Sequence, residues 1–363
     1  GGETTSFKNG VGQGIYNVTV NDSYNCGPSN ERVIFYYYGI DPSIPDSLNA
    51  GQIGNAQSIC AGGDPATITE VTPPSGGNGG YTYSWEYQNN CVGGWTPIAG
   101  ANGSTYNPPP GLMQTRCYRR IVTNTCGVVT SNTITVTVNP LPTPSINGPT
   151  PACQGSTGNT YTTETGNSNF AWTVSAGGLV TAGGGAGDDF VTVTWITPGS
   201  QTVSVNYENT FGCTAAAPTV YGVTVNPAPS PSLNGPSPVG QNSTGNTYTT
   251  DAGMSNYTWI VSAGGTITSG GGVNDDFVEV TWTASGARSV SVNYSDGNSC
   301  RALSPTILPV TVDALPVPAV IGPSPVCLNS IGNTYTTDPG MTNYIWTVSA
   351  GGTITNGGGA TDD

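Results

Sequence analysis

Apolar and polar positions alternate with period two along most of the chain. Phe170, Trp172 and Val174 share one parity, as do Val191, Val193 and Trp195, and Val203, Val205 and Tyr207. The positions between them are mostly Thr, Ser or Asn. Such alternation marks strands with one face in a core and the other in water. Runs of this kind, punctuated by Gly-, Pro- and Asn-rich turns, predict an all-β chain of antiparallel sheets packed as sandwiches. Residues with this turn-forming and hydroxyl-rich character disfavour helix, and almost none is expected. About seven runs fit into each copy of the pattern, the strand density of immunoglobulin-like domains. Trp172 then stands where such domains bury a tryptophan on the third strand, so Trp172 and Trp259 are expected in the core.

The pattern itself repeats. NGPTPACQGSTGNTYTT at 147–163 recurs as NGPSPVGQNSTGNTYTT at 234–250 and as IGPSPVCLNSIGNTYTT at 321–337. Trp172, Trp259 and Trp346 keep the same 87-residue step with no gap, the mark of tandem copies of one module. A looser copy precedes them. Cys126, Cys213 and Cys300 each stand twelve residues before a valine that closes a strand (Val138, Val225, Val312), and Cys26 stands twelve before Tyr38. The expected organisation is the C-terminal part of a preceding sandwich at 1–46, a divergent domain at 47–139, complete repeats at 140–226 and 227–313, and the N-terminal part of a further repeat at 314–363. The junctions PLPTP, PAPSP and ALPVP place Pro at nearly every second residue. Such segments are stiff and withhold amide donors from neighbouring edge strands, which predicts tandem sandwiches in a semi-rigid rod, advancing about 40 Å per module.

Charge narrows the function classes. Only 8% of residues are charged, and the net charge is −14 against seven basic residues. That balance gives no footing to a phosphate backbone, so nucleic acid is not an expected partner. No apolar run approaches the roughly 18 residues of a membrane helix, and no membrane insertion is expected in this segment. The chain has no histidine, which removes the commonest general base and every His-based triad or metal site, and no enzyme activity is expected. Lys8 is the only lysine, so the complete domains hold no Lys–Asn isopeptide staple.

The nine cysteines lack the CxxC spacing of zinc ribbons and read as an extracellular disulfide framework. Cys91 and Cys117 occur only in the divergent domain and are expected to staple it. Two schemes remain for the others. Closure within domains pairs Cys60 with Cys126 and Cys153 with Cys213, leaving Cys300 as a free thiol because Gly240 replaces its partner. Closure between domains pairs Cys26 with Cys60, Cys126 with Cys153 and Cys300 with Cys327, leaving Cys213. Twelve residues of strand, about 40 Å, separate Cys300 from its domain's end, whereas a bridge needs Cα atoms within about 7 Å. The first scheme is therefore favoured.

Gly-rich loops end in the acid pairs Asp188/Asp189 and Asp275/Asp276, with Asp362/Asp363 following. Paired carboxylates make them candidate calcium ligands, although adjacent strand residues point to opposite faces; the other reading is a turn carrying solubilising charge, and no other cofactor is implied. Tyr36, Tyr37 and Tyr38 must put at least one ring outward, as a sugar platform or a domain contact.

The VC or AC before GNTYTT, the W-x-V-S-A-G-G run, the V-x-V-x-W strand, VSVNY and the late GC or SC resemble the PKD-like and Ig-like repeats of giant Bacteroidetes surface proteins. The divergent domain, with SICAGGDPATI, GGYTYSWEY and CYRRIV, shares the resemblance. Those proteins include gliding-motility adhesins and filaments exported by type IX secretion. The resemblance implies an extracellular, cell-surface location. It also implies that Ser47, in Asp46-Ser47-Leu48, is a candidate O-glycosylation site. The expected function is a structural or adhesive repeat region: a stalk, filament or adhesin engaging the cell surface, glycans or other cells, with a homo-oligomer or filament as a further expectation. The alternative is accessory carbohydrate-binding or spacer modules of a secreted polysaccharide-degrading enzyme.

Overall fold

A computed structural model describes residues 47–363 except Asn78. The expectations placed on residues 1–46, including Lys8, Cys26 and Tyr36 to Tyr38, lie outside the described residues. Every regular element is a strand, and no helix occurs among the described residues. Contacts group the chain into two compact units, one running to Pro142 and including Glu208–Thr214, the other comprising Thr143–Tyr207 and Ala215–Asp363.

The first unit carries β1 (Gln52–Gly54), β2 (Gln57–Cys60), β3 (Thr69–Thr72), β4 (Thr82–Asn89), β5 (Thr96–Ile98), β6 (Arg116–Asn124), β7 (Gly127–Thr130) and β8 (Ile134–Asn139). Strands β2, β8, β6, β4 and β5 form one sheet in that order, with β7 on β6, and β1 pairs with β3. Even-numbered residues of β6 point inward: Tyr118, Arg120 and Val122 are all fully buried. Arg120 is a charge in a core, and it is tolerated because its terminal nitrogens meet three acceptors and its face meets a ring, although Nε finds no hydrogen-bond partner. Its guanidinium donates to Glu70 Oε2, Ser104 O and Ala50 O, and lies over Tyr83. One side chain thus ties β6 to the entering chain.

The complete repeats are built alike. The first has β9 (Ala152–Cys153), β10 (Asn159–Thr162), β11 (Ser168–Val174), β12 (Gly178–Gly183), β13 (Phe190–Trp195), β14 (Gly199–Glu208) and β15 (Thr219–Asn226). The second has β16 (Val239–Gly240), β17 (Asn246–Thr249), β18 (Ser255–Val261), β19 (Gly265–Gly270), β20 (Phe277–Trp282), β21 (Gly286–Ser295) and β22 (Thr306–Asp313). Each repeat packs a three-stranded sheet, β10-β13-β12 or β17-β20-β19, against a four-stranded one, β11-β14-β15-β9 or β18-β21-β22-β16. The period-two parity sets the core. Val191, Val193 and Trp195 are fully buried from one sheet and Val203 from the other, each such side chain contributing about 1.5–3 kcal/mol. Trp259 is 8% exposed in the core of the second repeat, and Trp172 is half-buried against that of the first, while the deepest tryptophans of the two repeats are Trp195 and Trp282.

The GP segment before each repeat's first strand shows why glycine is required there. A methyl group on Gly235 would lie 2.1 Å from the Tyr248 ring, so only a residue without a Cβ lets the chain cross that face. The peptide bonds Thr150–Pro151, Ser237–Pro238 and Ser324–Pro325 are all cis. Residues 314–363 contribute no strand, only the isolated bridge between Ile321 and Thr336.

Candidate functional site

Two cysteine positions recur at opposite ends of a module. The early cysteine stands where the chain leaves. Cys60 pairs in parallel with Asn139 at the end of β8, Cys153 with Asn226 at the end of β15, and Gly240 with Asp313 at the end of β22. We call this the exit edge. The late cysteine sits in the turn that follows the module's longest strand: Cys126 after β6, Cys213 after β14, Cys300 after β21. We call this the entry loop. The side-chain oxygen of Asn209 accepts the backbone N–H groups of Phe211 and Cys213, both at 3.0 Å. Asp296 does the same for Asn298 and Cys300 at 2.9 Å, and Asn124 accepts from Cys126 at 2.9 Å. The loop backbone is thus fixed by a short polar side chain of the kind that makes such turns.

The bonds join an exit edge to the entry loop of the following module. Cys60 is bonded to Cys213 and Cys153 to Cys300, with Cα atoms 5.5 and 5.4 Å apart. Cys91 is bonded to Cys117 inside the divergent domain. Among the described residues Cys126 and Cys327 are free and exposed. This corrects the expected pairs Cys60–Cys126 and Cys153–Cys213 and the expected free thiol at Cys300, which is bonded and fully buried. It also corrects the alternative scheme, whose bonds ran in the opposite sense, from late cysteine to the next early one. The reason is the register. Cys60 stands beside Asn139, three residues beyond Val136, which faces Arg116; Cys126 lies past Asn124 at the far end of the same β6. Eight residues of strand separate them, about 27 Å, far beyond a disulfide's reach of about 7 Å. In the second repeat Gly240 and Cys300 lie at opposite ends of β22 in the same way.

Next to the second staple, Leu303 from the entry loop lies against Gly155, where an added Cβ would meet its Cδ2 at 2.3 Å. Gly155 holds a left-handed φ of 78°, so glycine serves both the turn and the close approach.

A carboxylate clamps each linker to the module that it enters. Glu164 accepts from the backbone N–H and hydroxyl of Ser145 and from the hydroxyls of Thr163 and Tyr207. Asp251 accepts from Ser232 and Tyr294 in the same arrangement. Burial opposes the charge on Glu164, yet the Ser145 and Thr163 hydrogen bonds outweigh it and lower its pKa to about 2. Burial and the adjacent carboxylate push Tyr207 up to about 12. Tyr294 is raised by burial and by Asp251, whose own pKa is lowered by the Tyr294 and Ser232 hydrogen bonds. Sequence reasoning missed these carboxylates, although Glu164, Asp251 and Asp338 keep the 87-residue step.

The Asp pairs close a turn. Asp188 Oδ2 accepts the Gly185 N–H at 2.9 Å, and its carbonyl accepts the Trp172 indole N–H at 2.8 Å; Asp275 does the same with Gly272 and Trp259. The second acid of each pair works through its backbone. The carbonyl of Asp189 accepts the Thr163 N–H at 2.9 Å, and that of Asp276 accepts the Thr250 N–H at 2.9 Å. Asp188, Asp189, Asp275 and Asp276 are the four acids expected as calcium ligands. No cluster of three or more carboxylate, thiolate or imidazole side chains gathers around these four or elsewhere among the described residues. Each pair supplies two side-chain carboxylates at most, whereas calcium takes six to eight oxygens, and one carboxylate and both carbonyls of the pair already serve the turn. Ser47 is exposed, with Asp46 outside the described residues. No helix is long and apolar enough to cross a membrane among the described residues.

The family model for a PKD-like domain matches residues 139–221, 226–310 and 313–362, more than half of the chain. The chain belongs to the PKD-like domain family. A model described as a domain of unknown function (DUF8696) matches residues 49–140. No curated protein matches the sequence. Among solved structures the chain is similar to the Clostridium thermocellum CbhA fibronectin(III)-like modules, at 15% identity over 47% of this chain and 95% of that one, with a TM-score of 0.25. It is also similar to the N-terminal eight Ig domains of Down Syndrome Cell Adhesion Molecule, at 10% identity over 75% and 37%, with a TM-score of 0.29. The human Desmocollin-1 ectodomain matches at 10% identity over 77% and 63%, with a TM-score of 0.26.

Proposed function

We propose that this PKD-like array is a load-bearing stretch of a secreted, non-catalytic bacterial surface protein, a stalk, filament or adhesin. One observation carries the reading: the staple from an exit edge to the next entry loop occurs twice in the same register, so the two loops that it closes overlap. The shortest covalent route from residue 60 to residue 300 runs through both disulfides and only the stretch 153–213. A catalytic scaffold has no use for such a route, whereas a tether has. Disulfides of this kind persist in oxidising surroundings outside the cytosol, which suits an extracellular location. The motif resemblance to Bacteroidetes surface repeats suits attachment at a cell surface, with glycans or neighbouring cells as targets.

Pulling single chains by their ends tests this. In the oxidised chain about 60 residues between positions 60 and 300 extend under load instead of about 240, so a reductant should release on the order of 600 Å of further contour length. Equal extension with and without reductant would remove the basis for a tether. Retention of the oxidised chain on insoluble polysaccharide, at affinities typical of carbohydrate-binding modules, would favour accessory modules of a degrading enzyme instead.

A further inference from the structure

Cys126 occupies the entry-loop position whose two equivalents, Cys213 and Cys300, are bonded, and it alone of the three is free and exposed. Its loop also follows a long strand, β6, and a side-chain oxygen, that of Asn124, fixes the cysteine's own N–H, although two residues on, in the tight turn into β7, rather than four residues on as for Asn209 and Asp296. Both partners that such loops take, Cys60 and Cys153, share one placement, in a short strand parallel to the end of the module's last strand. We propose that Cys126 is a covalent docking point for another PKD-like module, and that it selects a cysteine presented on an exit edge over other exposed thiols. This rests on the array reading only for its setting, since the force measurement concerns the two bonds already closed and this one concerns a cysteine that has no bond among the described residues.

The chemistry balances by thiol–disulfide exchange. The Cys126 thiolate attacks a small disulfide such as oxidised glutathione, forming a mixed disulfide and releasing one glutathione thiolate. The exit-edge thiolate then attacks the Cys126 sulfur and displaces the second glutathione. Two protein thiols are oxidised, one glutathione disulfide is reduced to two thiols, and the protein protons pass to solvent.

The second complete repeat supplies the probe, because its exit edge is built but carries Gly240, paired with Asp313, where a cysteine would stand. The full chain with Cys327→Ser and Gly240→Cys, incubated in a glutathione redox buffer, should form head-to-tail covalent oligomers. Peptide mapping should find position 126 of one molecule linked to position 240 of another as the main new linkage. A control chain carries Cys327→Ser with Ser269→Cys, which puts a thiol on the exposed strand β19 away from the exit edge. It should link to Cys126 several-fold less, and adding Cys126→Ser to the Gly240→Cys chain should abolish that linkage. Recovery of the Cys60–Cys213 and Cys153–Cys300 peptides from the same digests shows that each variant folded. Equal linkage of Cys126 to positions 240 and 269, or none to 240 in a chain with both native bonds intact, would overturn the proposal.

Discussion

The phenolic oxygen of Tyr248 lies 3.0 Å from the indole nitrogen of Trp282 and accepts its N–H, while its own hydroxyl donates to the carbonyl of Pro236. Tyr161, Trp195 and Pro149 repeat the arrangement 87 residues earlier. One buried hydroxyl therefore serves a core tryptophan and the entering GP segment together. Tyr248→Phe leaves the Trp282 N–H without an acceptor in a dry site and is expected to cost about 1–3 kcal/mol of that repeat's stability. Denaturant unfolding followed by tryptophan fluorescence checks this.

Gly235→Ala acts on the same ring from the other side. The added methyl meets the Tyr248 ring, so ring or chain must shift, and overpacking of this kind costs about 1–3 kcal/mol. Gly240→Ala, where a Cβ meets nothing within 4 Å, is the matched control and should leave the unfolding midpoint unchanged.

The linker clamp predicts an acid-sensitive joint. Glu164 titrates near 2 in the folded chain against an ordinary value of 4.5, so the folded carboxyl is the stronger acid. Its contribution is complete above pH 4.5 and is lost as the pH falls toward 2. The unfolding midpoint of Glu164→Gln should lie below that of the parent chain at neutral pH, and the gap should close between pH 4.5 and 2.

Alkylation of the unreduced chain, mapped by mass spectrometry, should mark Cys126 and Cys327 and spare Cys213 and Cys300. A modified Cys300 together with a recovered Cys153–Cys213 peptide would return the pairing to closure within domains.

The sandwich was legible because parity along a strand is a local property. Val191, Val193 and Trp195 declare their face whatever lies opposite, and all three are fully buried. The cysteine pairing was only half legible. Strand rise correctly removed Cys300 from its own module's exit, but nothing local revealed that Cys153 crosses to run parallel with the end of β15, since parallel pairing joins residues far apart in sequence. Once both ends are known, the early cysteine of one module and the late cysteine of the next are the natural neighbours. The Asp188/Asp189 loop shows the same limit. No spacing in the sequence shows that the Asp188 carboxylate and carbonyl accept from the Gly185 amide and the Trp172 indole, and the Asp189 carbonyl from the Thr163 amide. Asp275 and Asp276 repeat this with Gly272, Trp259 and Thr250.

Overlapping staples also decide what a protease can do to the chain. A cut anywhere between residues 60 and 300 leaves both fragments joined through at least one disulfide. Even one cut in 60–153 combined with another in 213–300 leaves the middle fragment bonded on both sides. Clipping in an extracellular setting would therefore be silent for the integrity of this stretch and would appear only on a reducing gel. Past Cys300, across the junction after Gly240's module, no bond among the described residues spans a cut and gives that protection.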